Sequence, residues 1–198
     1  MSIYQYMNLK ANFRIPEVKE GDMLFAMPFV PDLYFNKSVV LVTRCAEGAC
    51  IGLMLNRRVN GRAEIQFENR LWLMPSEVFS GGPVVDDMIH VLYRYSKDIG
   101  DSVRLRKDVY FSMGNMELFR QIHDHTLDVQ NAYLYVGVCV WSLDQLQREL
   151  KEGYWTVIAN RADMVFKVEP ELLWEKLANY ISLSDDCKSL LPADPQDN

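Results

Sequence analysis

The stretch Ser80-Gly81-Gly82-Pro83-Val84 sets adjacent glycines where backbone amides could cradle a phosphate. A phosphate loop needs a longer glycine run closing on Lys-Ser or Lys-Thr, so that amides and an ammonium meet the anion together. Here Pro83 removes a donor, no lysine follows, and Asp86 and Asp87 bring negative charge. Proline also biases the preceding Gly82 toward extended backbone. These residues fit a tight passage of main chain between strands better than an anion cradle. A neutral or cationic ligand at the rim stays open.

Asn56-Arg57-Arg58 stands where an apolar strand ends, beside that glycine turn. Arginine can hold a carboxylate or phosphate through two parallel hydrogen bonds. The plainer reading is a solvated strand end, with Asn56 bonding the turn that follows. Ser38, Asn56, Arg57, Ser80, Gly81 and Gly82 together make the candidate pocket. No residue is assigned a catalytic role: Ser38 and Ser80 lack the Gly-x-Ser-x-Gly elbow, and nothing orders the histidines into a Ser/His/Asp arrangement.

His123-Asp124-His125 has a metal-like look. On a helix the two rings would point about 200° apart, and on a strand a third ligand would have to come from elsewhere. No metal and no cofactor is expected. Cys45 and Cys50 flank a short turn, at cross-strand spacing close to disulfide range. A reversible redox pair is one reading. Two reduced, small apolar residues on a buried sheet is the reading favoured for a reducing compartment.

The elements that must position these groups follow from periodicity. Strands are predicted at 23–27, 38–45 and 50–55, the latter two joined by a hairpin whose glycine, Gly48, supplies a positive φ. A short helix is predicted around 63–69, with further strands at 77–80, 89–95 and 103–112. Asn115 caps a helix to 124. Residues 132–141, apolar on both faces, read as a central strand. Ser142 and Gln145 fit a capping box opening a helix that stops at Gly153. A strand at 155–159 and a helix from Pro170 to about 183 complete the domain. Residues 1–20 read as an N-terminal extension, 21–183 as a single domain, and 184–198 as a disordered tail.

Hydrophobic residues make up 49% of the chain and charged residues 24%, as in ordinary globular proteins. The net charge of −6 argues against generalised attraction to nucleic-acid phosphates. No secretory signal and no membrane span is expected, and a cytoplasmic location follows as the simplest expectation.

Several separated stretches together resemble the YqgE/AlgH family. They are Gly21 to Pro28 (GDMLFAMP), Asp32 and Phe35, Ser38 to Leu41, Gly48 to Arg57 (GACIGLMLNR), the Gly81-Gly82-Pro83-Val84 motif, and Trp141 with Gln145-Leu146 and Glu149-Leu150. The resemblance runs from about Gly21 to Ala159. It implies an α+β fold with a strongly bent, partly barrel-like mixed sheet flanked by helices, and a regulatory label without a mechanism. The chain departs from the family pattern at Arg44-Cys45, at Leu92-Tyr93, and at Leu143-Asp144, so roles of family histidines do not carry over. The expected function is a non-catalytic ligand- or protein-binding module with an indirect regulatory role, its partner a protein or a small molecule. Two alternatives stay open: a small-molecule enzyme using the pocket around Asn56, Arg57 and Ser80-Gly81-Gly82, and a transcriptional regulator.

Overall fold

Runs that are apolar at every position, instead of every second one, mark strands covered on both faces. Met23–Ala26 (β1) and the first half of Val39–Ala46 (β2) are such runs, and the computed structural model pairs them antiparallel, Met23 opposite Leu41. The structure describes residues 16–59, 63–67, 70–128, 131–159 and 161–183. The expected tail at 184–198 and the first fifteen residues of the expected extension lie outside them.

The remaining strands are Ala49–Met54 (β3), Glu64–Phe67 (β4), Arg70–Leu73 (β5), Val78–Ser80 (β6), Val84–Arg94 (β7), Val103–Arg104 (β8), Val109–Met113 (β9), Ala132–Ser142 (β10) and Trp155–Ile158 (β11). The helices are Met116–His123 (α1), Leu143–Glu152 (α2) and Leu173–Leu183 (α3). Among the described residues, nine strands form one sheet in the order β11-β1-β2-β3-β10-β7-β9-β8, with β6 also on β10. The sheet is a strongly curled half-barrel, and the chain is a single α+β domain. No helix among the described residues is long and apolar enough to cross a membrane.

The curl leaves three buried clusters among the described residues. Inside it, Met23, Phe25, Leu41, Phe111 and Tyr135 meet Leu173, Leu177 and Ile181 of α3. One outer face carries Leu24, Val40 and Trp141 under Leu146 and Leu150 of α2. The other packs Val91, Tyr93 and Leu134 under Leu118, Phe119 and Ile122 of α1. Burying each such leucine is worth about 1.5–3 kcal/mol, so these faces hold the helices far more firmly than helix propensity does.

Strand β10 links the outer faces by changing which residues point inward. Before Gly137, Tyr135 faces the interior and Leu134 the α1 side; after it, Val138 faces the interior and Cys139 and Trp141 the α2 side. The switch is a bulge at Gly137, whose φ of 74° suits glycine.

At the bulge another segment crosses. β6 runs parallel to β10 along one edge, Ser80 beside Val136, while β7 runs antiparallel along the other, Val84 beside Val138. Gly81-Gly82-Pro83 must therefore pass over β10, spanning about 10 Å between its neighbours in four residue steps. A Cβ on Gly81 would lie 2.1 Å from the Gly137 carbonyl oxygen, and one on Gly82 would lie 2.1 Å from the Val138 carbonyl carbon. The steric reading of the double glycine is thereby explained.

Several local expectations need correction. Residues 63–69 do not form a helix: 64–67 and 70–73 pair as an antiparallel hairpin, Ile65 opposite Trp72. The Glu64-Ile65-Gln66 alternation, with Ile65 buried and its neighbours exposed, has period two and wins over the helical pattern. The single strand expected at 103–112 is instead β8 and β9, split where the Leu105 and Arg106 amides both donate to Val109 O. The capping box is half made. Ser142 Oγ accepts the Gln145 amide, but the Gln145 side chain donates to Glu149, while Ser142 stays in the ladder opposite Ala49.

Because backbone, not a flexible side chain, occupies the space at Gly82, Gly82→Val is expected to destabilise the protein by more than about 2 kcal/mol, through overpacking against a fixed main chain. Urea denaturation measures this, and a midpoint within error of the parent would remove the steric account.

Candidate functional site

Pro31 and Asp32 start a 3₁₀ turn at Leu33–Phe35, capped by Asp32 Oδ1 accepting from the Tyr34 amide at 2.9 Å. The Tyr34 and Phe35 rings meet edge-on, their centroids 5.3 Å apart, and each also touches a different group of residues.

Around Tyr34 lie most of the residues named from sequence as a candidate pocket, and none of them lines the cleft described below. Arg57 donates from Nη2 to Tyr34 O at 2.6 Å and lies over the Tyr34 ring, 4.5 Å from its centroid. Tyr34 Oη and Ser80 Oγ are 3.2 Å apart. Asn56 Oδ1 accepts from the Val39 amide and its Nδ2 donates to Lys37 O, while Ser38 Oγ donates to Phe35 O. The Gly81 amide donates to Val136 O, and Gly81 O accepts from Met54 N and from the buried Cys139 thiol. The structure thus brings Ser38, Asn56, Arg57, Ser80 and Gly81 around one turn, each making at least one hydrogen bond to the chain's own atoms. Gly82 lies against β10. Next to them, Arg58 pairs with Glu77 and Glu171, which raises its own pKa and lowers that of the Glu171 carboxyl, chiefly through their shared hydrogen bond.

On the Phe35 side lies a cleft of about 350 Å³. Phe35, Tyr154 and Trp155 form apolar walls with Val30 and Pro31, and Asp32, Glu149 and Glu152 supply carboxylates against one guanidinium, Arg148. Formal charges of −3 and +1 leave −2 at the cleft. Glu149 is held with unusual completeness. Its Oε2 accepts from the indole N–H of Trp141 at 3.0 Å and of Trp155 at 2.6 Å, and its Oε1 accepts from Gln145 Nε2 at 2.8 Å. All three donors are neutral, so they fix the carboxylate in place without cancelling its charge. Phe35 meets the edges of this arrangement, its ring centroid 5.4 Å from that of Trp155 and 6.0 Å from that of Trp141.

The same outer face holds the cysteines. A two-residue turn, Glu47-Gly48 with φ of 53° and 82°, closes the β2–β3 hairpin and sets Cys45 opposite Cys50. The two are disulfide-bonded. This corrects the expectation of two reduced residues: positive φ at both turn positions is the tight-hairpin geometry, and it brings the cysteines into direct opposition. Cys139 stays a free thiol, its pKa pushed up to about 12 by burial. The His123 ring stacks on Trp72 and bonds Asp124, while His125 takes a positive φ beyond the helix end.

A family model described as AlgH-like (DUF179) matches residues 23–184. The chain belongs to the AlgH-like family. A UPF0301 protein of Cytophaga hutchinsonii is 30% identical over 182 residues, covering 90% of this chain and 98% of that one. A UPF0301 protein of Shewanella frigidimarina is 30% identical over 159 residues, covering 76% and 84%. Among solved structures, that of the AlgH protein from Pseudomonas aeruginosa matches with a TM-score of 0.65 at 17% identity, covering 90% of this chain and 99% of the other. A Corynebacterium diphtheriae protein matches with a TM-score of 0.61 at 20% identity, covering 87% and 92%. These two likenesses establish the AlgH-like fold and nothing finer.

The sequence reading of this AlgH-like chain found the Tyr34-side cluster but missed the cleft. The signal was present: Gln145, Glu149 and Glu152 recur at helical spacing on α2, next to the leucine stripe that drew attention instead. What it could not show was that Trp141, from β10, and Trp155, from β11, converge on one of those acids.

Glu149→Ala orphans two buried indole donors and is expected to cost about 2–4 kcal/mol. Glu149→Gln keeps an acceptor and is expected to cost less than half as much. Chemical denaturation of both variants checks this, and equal losses would contradict it. Native Cys139 is expected to resist iodoacetamide at pH 8, far below its raised pKa, and to react only on unfolding.

Proposed function

We propose that this AlgH-like protein is a non-catalytic binding module whose Phe35-side cleft receives a cationic group, presented by a small molecule or by a side chain of a protein partner. The observation that carries the reading is the Glu149 carboxylate fixed by the Trp141 and Trp155 indoles, in a cleft of net charge −2. A cation there gains Coulomb attraction to the acids, and attraction to any aromatic wall that presents its ring face. Because the donors are already in place, little reorganisation opposes binding.

A non-catalytic role is supported by the Tyr34-side cluster, where Ser38, Asn56, Arg57 and Ser80 are all engaged in bonds within the chain. That is the behaviour of groups that hold a turn. The overall charge of −6 favours a cationic partner over nucleic acid, and any regulatory role would act through that partner.

Thermal unfolding with arginine methyl ester and with spermidine tests this. At ten times Kd a ligand adds about 1.4 kcal/mol, which for a chain of this size raises Tm by about 3–5 °C. The shift is expected to fall with added salt, to be absent with glutamate as probe, and to be lost in an Asp32→Lys, Glu152→Lys double variant. Neither probe raising Tm, or the double variant responding equally, would refute the cleft as a cation site.

A further inference from the structure

The Cys45–Cys50 bond has the placement of a covalent-modification site more than of a structural staple. It closes a loop of a few residues that the Glu47-Gly48 turn and the Ala46–Ala49 pairing already close. A bridge of that kind restrains the unfolded chain far less than one joining distant segments. The half-barrel's strand pairing and its three clusters are made by many residues besides these two.

The two sulfurs differ in access. Cys45 is half-buried near the hairpin tip, whereas Cys50 is 1% exposed beneath the α2-side cluster, opposite Trp141. An incoming thiolate therefore reaches Cys45 and not Cys50. The remaining described cysteine, Cys139, is buried with its thiol held protonated and its hydrogen given to Gly81 O, so it takes no part in exchange.

The bonded pair also encloses a contact to the neighbouring helix. Gly48 O, in the turn between the cysteines, accepts the amide hydrogen of Leu143, the first residue of α2, at 2.9 Å. On the other side of the hairpin tip, the Cys45 amide donates to Glu20 Oε1 at 3.3 Å. The tip is thus joined both to α2 and to the segment that leads into β1.

From these observations we infer that Cys45–Cys50 is a reversible thiol–disulfide exchange site for low-molecular-weight thiols, and that its oxidised form clasps the hairpin tip to the start of α2. The chemistry closes on itself. A thiolate of the small thiol attacks Cys45 Sγ; the Cys45–Cys50 bond breaks, and its electron pair leaves on Cys50 Sγ, which takes a proton from water. A second small-molecule thiolate attacks the outer sulfur of the mixed disulfide, releasing Cys45 as thiolate, which is protonated in turn. The protein disulfide is reduced by two electrons and two small thiols are oxidised to their disulfide. The reverse sequence, with the small disulfide as oxidant, restores the pair. This inference is independent of the cleft reading, since it needs no ligand there.

The test uses the full chain carrying Cys187→Ser, equilibrated in buffers of graded reduced-to-oxidised glutathione ratio, then alkylated and read by mass spectrometry. The peptide spanning 45–50 is expected to gain two alkyl groups with the same ratio dependence from either direction, while the circular dichroism of the fold stays unchanged. Under oxidised glutathione, Cys50→Ser is expected to capture one glutathione at Cys45, and Cys45→Ser at least tenfold less at Cys50. Amide exchange at Leu143 is expected to quicken at least tenfold on reduction. Failure of excess thiol to reduce the native protein, reduction only with loss of structure, equal capture by the two serine variants, or unchanged Leu143 exchange would each overturn the inference.

Discussion

Where Gly81 and Gly82 pass over β10 at Gly137 and Val138, two main chains meet with no side chain between them. That contact is what lets one strand serve both parts of the curled sheet. β6 and β3 share one edge of β10, one after the other, and β7 takes the opposite edge, so the link between β6 and β7 has nowhere to go but across. Side chains at positions 81 and 82 would lift the crossing segment and part Met54 N from Gly81 O, the bond that ties β3 to the crossing. The bulge at Gly137 belongs to the same solution, because it turns β10 so that Tyr135 fills the interior while Trp141 reaches the α2 side.

Both groups of residues around the short turn at 33–35 are consequences of that geometry. Ser80, the last residue before the crossing, meets Tyr34, and Trp141, beyond the bulge, meets Phe35 through its ring. A single turn of three residues therefore touches both the crossing, through Tyr34, and the acidic, aromatic cleft, through Phe35. Its rigidity comes from short-range bonds, Asp32 to Tyr34 and Ser38 to Phe35, rather than from buried area.

Much of this was legible in the sequence where the cause is local. The double glycine, the left-handed end of α2 at Gly153, the Asn115 cap and the two-sided apolar strands were each readable from residue types alone. So was the family, because its motifs are spread along the chain. Errors arose where two periods compete over a few residues, as at Glu64-Ile65-Gln66, or where a polar turn hides inside a strand-like run, as at Arg106-Lys107-Asp108. The cleft was invisible for a different reason. Glu149 becomes special only when indoles from β10 and β11 close on it, and no spacing along the chain encodes that meeting.

The two ends of the domain are sewn together. β1 lies between β2 and β11, Phe25 stacks on Trp174 at 5.0 Å, and the Trp174 indole donates to Ala26 O. A ribosome that has released β1 must therefore add about 130 further residues before that strand gains its second neighbour, and still more before its carbonyl is capped. Throughout that interval one long edge of β1 is open to pairing with another chain. Quality control during synthesis, rather than stability afterwards, is where a weakened last helix would first be felt.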